Sequence, residues 1–127
     1  MTSSTTQPPR LLVVEDEYLI RMLLEDMIAD LGYEVSASVG TLADATEQAT
    51  SGAFNAAILD VNVDGQEVFP AAEILAKREV PFIFVTGYGE GGLPPAYRGR
   101  PTLQKPFQAD ELKDALAGLL AGNAQTA

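Results

Sequence analysis

Side chains that could take part in catalysis or metal binding follow several short, strand-like runs of this 127-residue chain. Glu15 and Asp16 follow one run, and Asp60 ends another. Thr86 and Lys105 stand at the ends of two later runs. In open parallel sheets, binding sites form outside the carboxyl ends of the strands. If these runs belong to one such sheet, three carboxylates, one hydroxyl and one ammonium meet at one edge.

This set of side chains favours phosphoryl chemistry supported by a divalent cation. Neighbouring carboxylates repel one another, which raises the pKa of at least one unless a cation lies among them. A hard ion with oxygen ligands relieves that repulsion, and Mg²⁺ also binds phosphate oxygens. An ionised carboxylate can be the nucleophile that forms an aspartyl phosphate, and it needs no general base. Because phosphoryl transfer depends on positioning and charge, a lysine and a hydroxyl suit the remaining positions.

Each of these residues also has an ordinary structural explanation. An acidic pair after a strand is typical of a solvated helix start, since Asp and Glu favour the first turn. Asp60 alone is typical of a turn cap, Thr86 before Gly87 is typical of the start of a turn, and Lys105 alone is typical of a solvated surface. One shared site explains the polar residues at all four strand ends. The separate explanations would require four unrelated polar residues to fall at strand ends by coincidence.

The elements that must position these residues alternate between strands and helices. Continuously apolar runs predict strands buried on both faces, and the alternation of apolar and polar residues at 35–39 predicts a half-exposed edge strand. The predicted strands are residues 11–14, 35–39, 56–59, 82–85 and 102–104, and the predicted helices are residues 17–31, 41–52, about 67–78 and 110–120. This order predicts an α/β fold with a parallel sheet between two layers of helices.

Two segments carry further expectations. The first helix has apolar residues four positions apart, Leu19, Leu23, Met27 and Leu31, which predict one broad apolar stripe. The segment from Gly87 to Pro101 holds five Gly and three Pro, so we expect a fourth helix there to be short or mobile.

Composition excludes several classes of function. The chain has 18 acidic and 8 basic residues and a net charge of -10, which argues against nucleic acid as a partner and favours cations. It has no Cys and no His, which excludes a disulfide framework and histidine catalysis. Without a membrane-length apolar run or a signal-peptide pattern, we expect no membrane partner and a cytoplasmic location. The length suits one domain at residues 10–121, with a disordered tail at 1–9 and a second tail at 122–127.

Four motifs of the chain resemble the receiver domain of two-component response regulators. They are Leu12–Glu17 (Leu-Val-Val-Glu-Asp-Glu), Ile58–Asp60, Val85–Gly87 and Lys105–Phe107, in the order and spacing of that family. The resemblance spans Arg10 to about Leu120 and implies a flavodoxin-like (βα)5 fold with strand order 2-1-3-4-5.

The resemblance also implies a role for each candidate residue. Asp60 would accept the phosphoryl group, Thr86 would follow a phosphoryl oxygen, and Lys105 would pair with the phosphate. Mg²⁺ would be held by Glu15, Asp16, Asp60 and the backbone carbonyl of Asn62. The Lys105–Pro106 peptide is typically cis in the family.

The chain departs from the usual receiver pattern in two places. Thr102 stands where most receivers have an aromatic residue, and the loop Asp60–Gly65 is compact and lacks the usual proline. Residues 81–89 are similar to a divergent subfamily known by its Phe-Ala-Thr-Gly-Tyr motif, which occurs largely in alphaproteobacteria with HWE-type histidine kinases and stress signalling. We therefore expect residues 87–100 to be mobile in the free protein and ordered by phosphorylation, with Tyr88 and Tyr97 as aromatic contacts of the ordered form.

Three classes of function are compared on these grounds. The favoured one is a single-domain response regulator that receives phosphate from a histidine kinase or phosphotransfer protein, and signals through a downstream protein partner or by phosphate drainage. It would be no enzyme beyond its own phosphorylation and dephosphorylation. A non-phosphorylated receiver-like binding module usually loses the acceptor or the lysine, and this chain has both. A small aspartyl-phosphate phosphatase fits poorly, because Asn62 stands where such enzymes have a second Asp.

Overall fold

The computed structural model describes residues 7–87 and 93–125. In chain order the elements are β1 (Arg10–Val14), α1 (Tyr18–Asp30), β2 (Glu34–Val39), α2 (Leu42–Ser51), β3 (Ala56–Asp60), β4 (Asn62–Val63), β5 (Gln66–Glu67), α3 (Phe69–Lys77), β6 (Phe82–Thr86), β7 (Thr102–Gln104) and α4 (Ala109–Gln125), with a 3-10 helix at Pro95–Tyr97 before β7. Most of the predicted N-terminal tail lies outside the described residues, as do residues 126–127 of the C-terminal one.

The main sheet has five parallel strands in the order β2-β1-β3-β6-β7. The predicted α/β class is confirmed. The numbering differs from the predicted 2-1-3-4-5 only because the two-residue strands β4 and β5 intervene and form an antiparallel hairpin of their own. The predicted edge strand is β2, whose residues are only partly buried.

The two faces of the sheet carry two separate cores, which explains the continuously apolar strands. One core combines Leu12, Leu59 and Phe84 with buried residues of α2 and α3. The other combines Ile58 and Ile83 with buried residues of α1 and α4. Because successive side chains of a strand point to opposite faces, every residue of β3 and β6 is buried. This double burial holds the carboxyl ends of the central strands in place.

The apolar stripe of α1 is wider than the surface that the sheet offers it. Leu24 and Ile28 are buried in the core, but Leu19 and Leu23 are 78% and 51% exposed. The periodicity of α1 is therefore helical as predicted, while the outer edge of the stripe stays on the surface. Tyr18 and Met22 extend this exposed apolar surface.

The connection between β3 and α3 differs from its prediction. Gln66–Glu67 pairs with Asn62–Val63 in an antiparallel register, so Glu67 lies in a strand and not in the helix. Helix α3 begins at Phe69, with Pro70 in its first turn, where a proline is tolerated. Four apolar residues in and just before this helix, Val68, Ala71, Ala72 and Leu75, are all buried.

The segment before β7 contains only a short 3-10 helix in its described part, Pro95–Tyr97. The expectation of mobility falls partly on residues 88–92, including Tyr88, which lie outside the described residues, and it stays a prediction. Tyr97 packs in an aromatic cluster with Phe69, Phe82 and Phe84. Its ring stacks on that of Phe69 at 5.4 Å and meets that of Phe84 edge-on at 5.4 Å.

The last helix is longer than its pattern indicated. It was predicted to end at Leu120 and extends to Gln125. No helix in residues 7–87 and 93–125 is both long enough and apolar enough to cross a membrane.

Replacing Tyr97 tests whether the aromatic cluster stabilises the domain. Tyr97→Ala should lower the free energy of unfolding by roughly 2 kcal/mol, because it removes ring contacts with three phenylalanines and leaves a void. Tyr97→Phe keeps the ring and should change the stability by less than about 0.5 kcal/mol. Urea unfolding measures both. Equal midpoints for Tyr97→Ala and the wild type would show that the cluster contributes nothing.

Candidate functional site

Three carboxylates converge where β1 and β3 end. Glu15 and Asp16 follow β1, and Asp60 is the last residue of the neighbouring strand β3. One carboxylate oxygen from each lies within 4.8 Å of the other two. The two strands pair in parallel register, so their carboxyl ends meet at one edge of the sheet. The structure thus brings together the acidic residues that the sequence singled out.

Lys105 joins this cluster from β7, two strands away from β3. Its ammonium nitrogen Nζ lies 3.0 Å from Glu15 Oε1 and 3.1 Å from Asp60 Oδ2. Its backbone N–H donates to the Thr86 carbonyl at 2.9 Å, which ties the end of β7 to the end of β6. The Lys105–Pro106 peptide is cis, as expected.

Thr86 and Asn62 complete the predicted set. Thr86 is the last residue of β6, the strand between β3 and β7, and only 2% of its surface is exposed. Asn62 begins the hairpin, and its backbone N–H lies 3.4 Å from Asp60 Oδ1. All of the predicted site residues therefore lie at the same edge of the sheet.

Burial dominates the electrostatics of Glu15, which is fully buried. Desolvation raises the pKa of Glu15 to about 7, and the nearby Asp60 charge acts in the same direction. The Glu17 backbone N–H, which donates to Glu15 Oε2 at 3.0 Å, and the Lys105 ammonium oppose that rise.

For Lys105, in contrast to Glu15, the neighbouring carboxylates together have a larger effect on the pKa than burial has. Burial alone would lower the pKa of its ammonium. The hydrogen bond to Glu15 and the charge of Asp60 outweigh that effect, and the pKa of Lys105 is raised above its ordinary value. The lysine is therefore cationic whenever the neighbouring carboxylates are charged.

The donor set suits a hard divalent cation. Three carboxylates offer only oxygen ligands, which Mg²⁺ prefers over nitrogen or sulfur. Asp16 is exposed, so the cluster is open to solvent on one side, while Glu15 and Asp60 are buried. A cation there would offset the excess of three carboxylates over one ammonium. Mg²⁺ therefore fits these residues.

Sequence reasoning missed three contacts of this site. The Glu17 carboxylate lies 3.5 Å from Lys105 Nζ. The Arg21 guanidinium donates to the Glu15 carbonyl at 3.3 Å, and the Asp64 backbone N–H donates to Asp16 Oδ2 at 3.0 Å. The Asp-Gly pair at residues 64–65 is a known hairpin signal and could have revealed the turn that carries Asp64. No sequence pattern marks the three contacts themselves.

A doubly wound sheet with this set of residues at its carboxyl edge defines a receiver domain. The response regulator receiver domain family matches residues 11–117, so the chain belongs to that family.

Three relatives illustrate the likeness. The transcriptional regulatory protein PdtaR of Mycobacterium tuberculosis is 34% identical over 125 residues, which cover 91% of this chain and 61% of PdtaR. The chain thus spans about three-fifths of that relative. SdrG from Sphingomonas melonis Fr1 is 43% identical with a TM-score of 0.80, covering 91% of this chain and 99% of SdrG. The receiver domain of PhyR from Erythrobacter litoralis is 31% identical with a TM-score of 0.79, covering 90% of this chain and 91% of that one.

SdrG has also been solved in a second state. A structure of its BeF3-activated conformation, from Pseudomonas melonis Fr1, is 46% identical with a TM-score of 0.75, covering 87% of this chain and 95% of that one. A structure of the PhyR stress response regulator is 28% identical with a TM-score of 0.78, covering 94% of this chain and 47% of that one. Membership of the Phe-Ala-Thr-Gly-Tyr subfamily stays a prediction.

The raised pKa of Glu15 predicts a pH-dependent stability of the metal-free protein. Because the folded state holds this proton more tightly than the unfolded chain, the protonated carboxyl stabilises the fold fully below its ordinary pKa of 4.5. That contribution is lost as the pH rises through about 7. A shift of this size corresponds to on the order of 3 kcal/mol.

Urea unfolding at pH 5 and pH 8 in a chelator measures this loss. Glu15→Gln, which cannot ionise, should show a smaller difference between the two pH values than the wild type. Equal differences in the two proteins would contradict the assignment to Glu15.

Proposed function

We propose that the chain is the receiver of a response regulator and accepts a phosphoryl group on Asp60 from a histidine kinase or a phosphotransfer protein. Mg²⁺ would be held by Glu15, Asp16, Asp60 and the backbone carbonyl of Asn62. The observation that carries the proposal is the Lys105 ammonium, which lies about equally far from the carboxylates of Glu15 and Asp60. This arrangement places a fixed cation beside a buried carboxylate nucleophile.

Asp60 has the properties of an acceptor rather than a structural carboxylate. It ends a fully buried strand, so its carboxylate is held in a fixed position on the buried side of the cluster. The step forms a bond between an Asp60 carboxylate oxygen and phosphorus, while the bond from phosphorus to the donor's imidazole nitrogen breaks. The electron pair of that bond stays on the imidazole nitrogen. The step needs no general base, because a carboxylate nucleophile attacks without losing a proton.

Lys105 and Thr86 are proposed to stabilise the transferred group. The Lys105 ammonium already lies 3.1 Å from Asp60 Oδ2 and would pair with a phosphoryl oxygen after transfer. The Thr86 hydroxyl, on the strand between Asp60 and Lys105, would donate to another. When bound, Mg²⁺ supplies positive charge that offsets the developing charge on the phosphoryl oxygens.

The exposed apolar surface of α1 is the proposed docking site for the phosphodonor protein. Tyr18, Leu19, Met22 and Leu23 are between 42% and 78% exposed. Leu23 also lines a groove of about 340 Å³ together with Ile20, Lys105, Pro106 and Phe107. The same lysine lines the groove and contacts Asp60. A donor bound on this surface would therefore present its phosphohistidine directly to the acceptor.

The pathway is proposed from one motif and from the likenesses. The motif at residues 81–89 supports an HWE-type histidine kinase as donor, and the similarity to PhyR supports a role in stress signalling. Output would pass to a downstream protein partner, since the net charge of -10 disfavours nucleic acid.

Asp60→Asn should abolish phosphorylation by a small-molecule phosphodonor such as acetyl phosphate with Mg²⁺. The amide has nearly the same shape but is not a comparable nucleophile. Asp114→Asn, the same change at an exposed residue of α4, should leave labelling intact. Intact mass spectrometry reads the adduct.

The same measurement separates the alternatives. A lasting adduct supports the proposed acceptor, rapid turnover supports a phosphatase, and no adduct supports a non-phosphorylated binding module. An adduct that persists in Asp60→Asn would assign the acceptor to another carboxylate.

Leu19→Ser and Leu23→Ser should slow phosphotransfer from a histidine kinase by about tenfold each, a loss of about 1.4 kcal/mol. Both changes remove apolar contact area on the proposed docking surface and leave Asp60 untouched. Labelling by acetyl phosphate should therefore stay at the wild-type rate. Asp26→Ser, on the same helix, is the matched control. Equal slowing with both kinds of donor would point to damage at the site, and no slowing with the kinase would refute docking on α1.

A further inference from the structure

The loop that carries Asn62 is folded as a small hairpin and not as an irregular connection. Asn62 pairs with Glu67, and Val63 pairs with Gln66. The turn between them consists of Asp64 at φ 53 and Gly65 at φ 81. Positive φ at both central residues is the signature of a type I′ turn, for which Asp-Gly is a favoured pair.

The base of this hairpin is anchored to the rigid part of the fold. The Val61 N–H donates to the Val85 carbonyl at 3.0 Å, and the Val68 N–H donates to the Val61 carbonyl at 2.9 Å. The Val63 side chain is fully buried in the core beneath the hairpin. The turn at Asp64 and Gly65 is therefore held at a defined place relative to β3 and β6.

The hairpin tip reaches the acidic cluster. The backbone N–H of Asp64 donates to Asp16 Oδ2 at 3.0 Å, across 48 residues of sequence. Asp16 is the exposed member of the cluster, whereas Glu15 and Asp60 are buried. Its side chain would otherwise be free to rotate away from the other two carboxylates, because like charges repel one another.

We propose that the β4–β5 hairpin positions Asp16 for metal binding through the backbone N–H of Asp64. The inference rests on the proposed Mg²⁺ site and adds a positioning residue to it. The hydrogen bond occupies one carboxylate oxygen and leaves the other for the cation. The rotamer of Asp16 is thus set before the metal arrives, and the ordering does not have to occur during binding.

The turn conformation offers a clean way to test this role. An added Cβ at Gly65 meets no atom within 4 Å, so a substitution there acts through the backbone conformation alone. Gly65→Val disfavours positive φ, because β-branched residues rarely adopt it. Gly65→Asn tolerates positive φ and should restore the turn. Gly99, also at positive φ with open space around it, provides the matched control Gly99→Val far along the chain.

Isothermal titration calorimetry with MgCl₂ measures the affinity of each variant. Gly65→Val should weaken Mg²⁺ binding by about three- to tenfold. Gly65→Asn and Gly99→Val should stay within about twofold of the wild type. No Mg²⁺ binding by the wild type would overturn the metal site itself. Wild-type binding with equal affinity in Gly65→Val would overturn the hairpin's role alone.

A second measurement follows the hydrogen bond without any metal. In NMR spectra of the metal-free protein, Asp16→Ala removes the acceptor, so the Asp64 amide proton should move upfield and exchange faster with solvent. The Gly99 amide should be unaffected. An Asp64 amide that is unchanged by Asp16→Ala would show that the tip does not hold Asp16, and would overturn the proposal whatever the calorimetry gives.

Discussion

The placement of one ammonium among carboxylates is the constraint on which the site depends. Glu15, Asp16 and Asp60 crowd within 4.8 Å, and Lys105 Nζ lies close to two of them. Without that cation, the fully buried Glu15 would be driven further toward its neutral form. With it, Glu15 keeps more of its negative charge, which favours the binding of a divalent cation. The lysine must therefore arrive from a strand whose end is level with those of β1 and β3.

The sheet satisfies that geometric demand. Parallel pairing from β1 through β3 and β6 to β7 aligns the carboxyl ends, and the Lys105 N–H bonded to the Thr86 carbonyl fixes the last of them. Two cores, one on each face, surround the central strands with packed side chains. Such packing resists displacement, because cores are dense and tolerate few voids. The polar residues are thus held by strands that cannot easily shift.

Three elements at the surface lie around the sheet and the acidic cluster: helix α1, the β4–β5 hairpin and the segment before β7. The exposed stripe of α1 and the groove beside Lys105 provide an apolar surface next to the acidic cluster. The hairpin covers another side of the cluster and contacts Asp16. Tyr97 packs beside Phe84 on the segment before β7, where a longer helix was not expected. These three features lie around the acidic cluster and the sheet that positions it.

The sequence by itself determined the class of fold, the order of the elements and the members of the acidic cluster, because buried parallel strands have continuous apolar runs and their ends are visible as polar residues. It did not show that Leu19 and Leu23 stay exposed, since helical periodicity is the same for a core stripe and for a surface patch. Periodicity could not show the hairpin either, because two-residue strands are too short to have one, and only the Asp-Gly pair signals its turn. The contact from Asp64 to Asp16 uses a backbone N–H, which every residue except proline has, so only the tertiary structure could decide which one reaches the site.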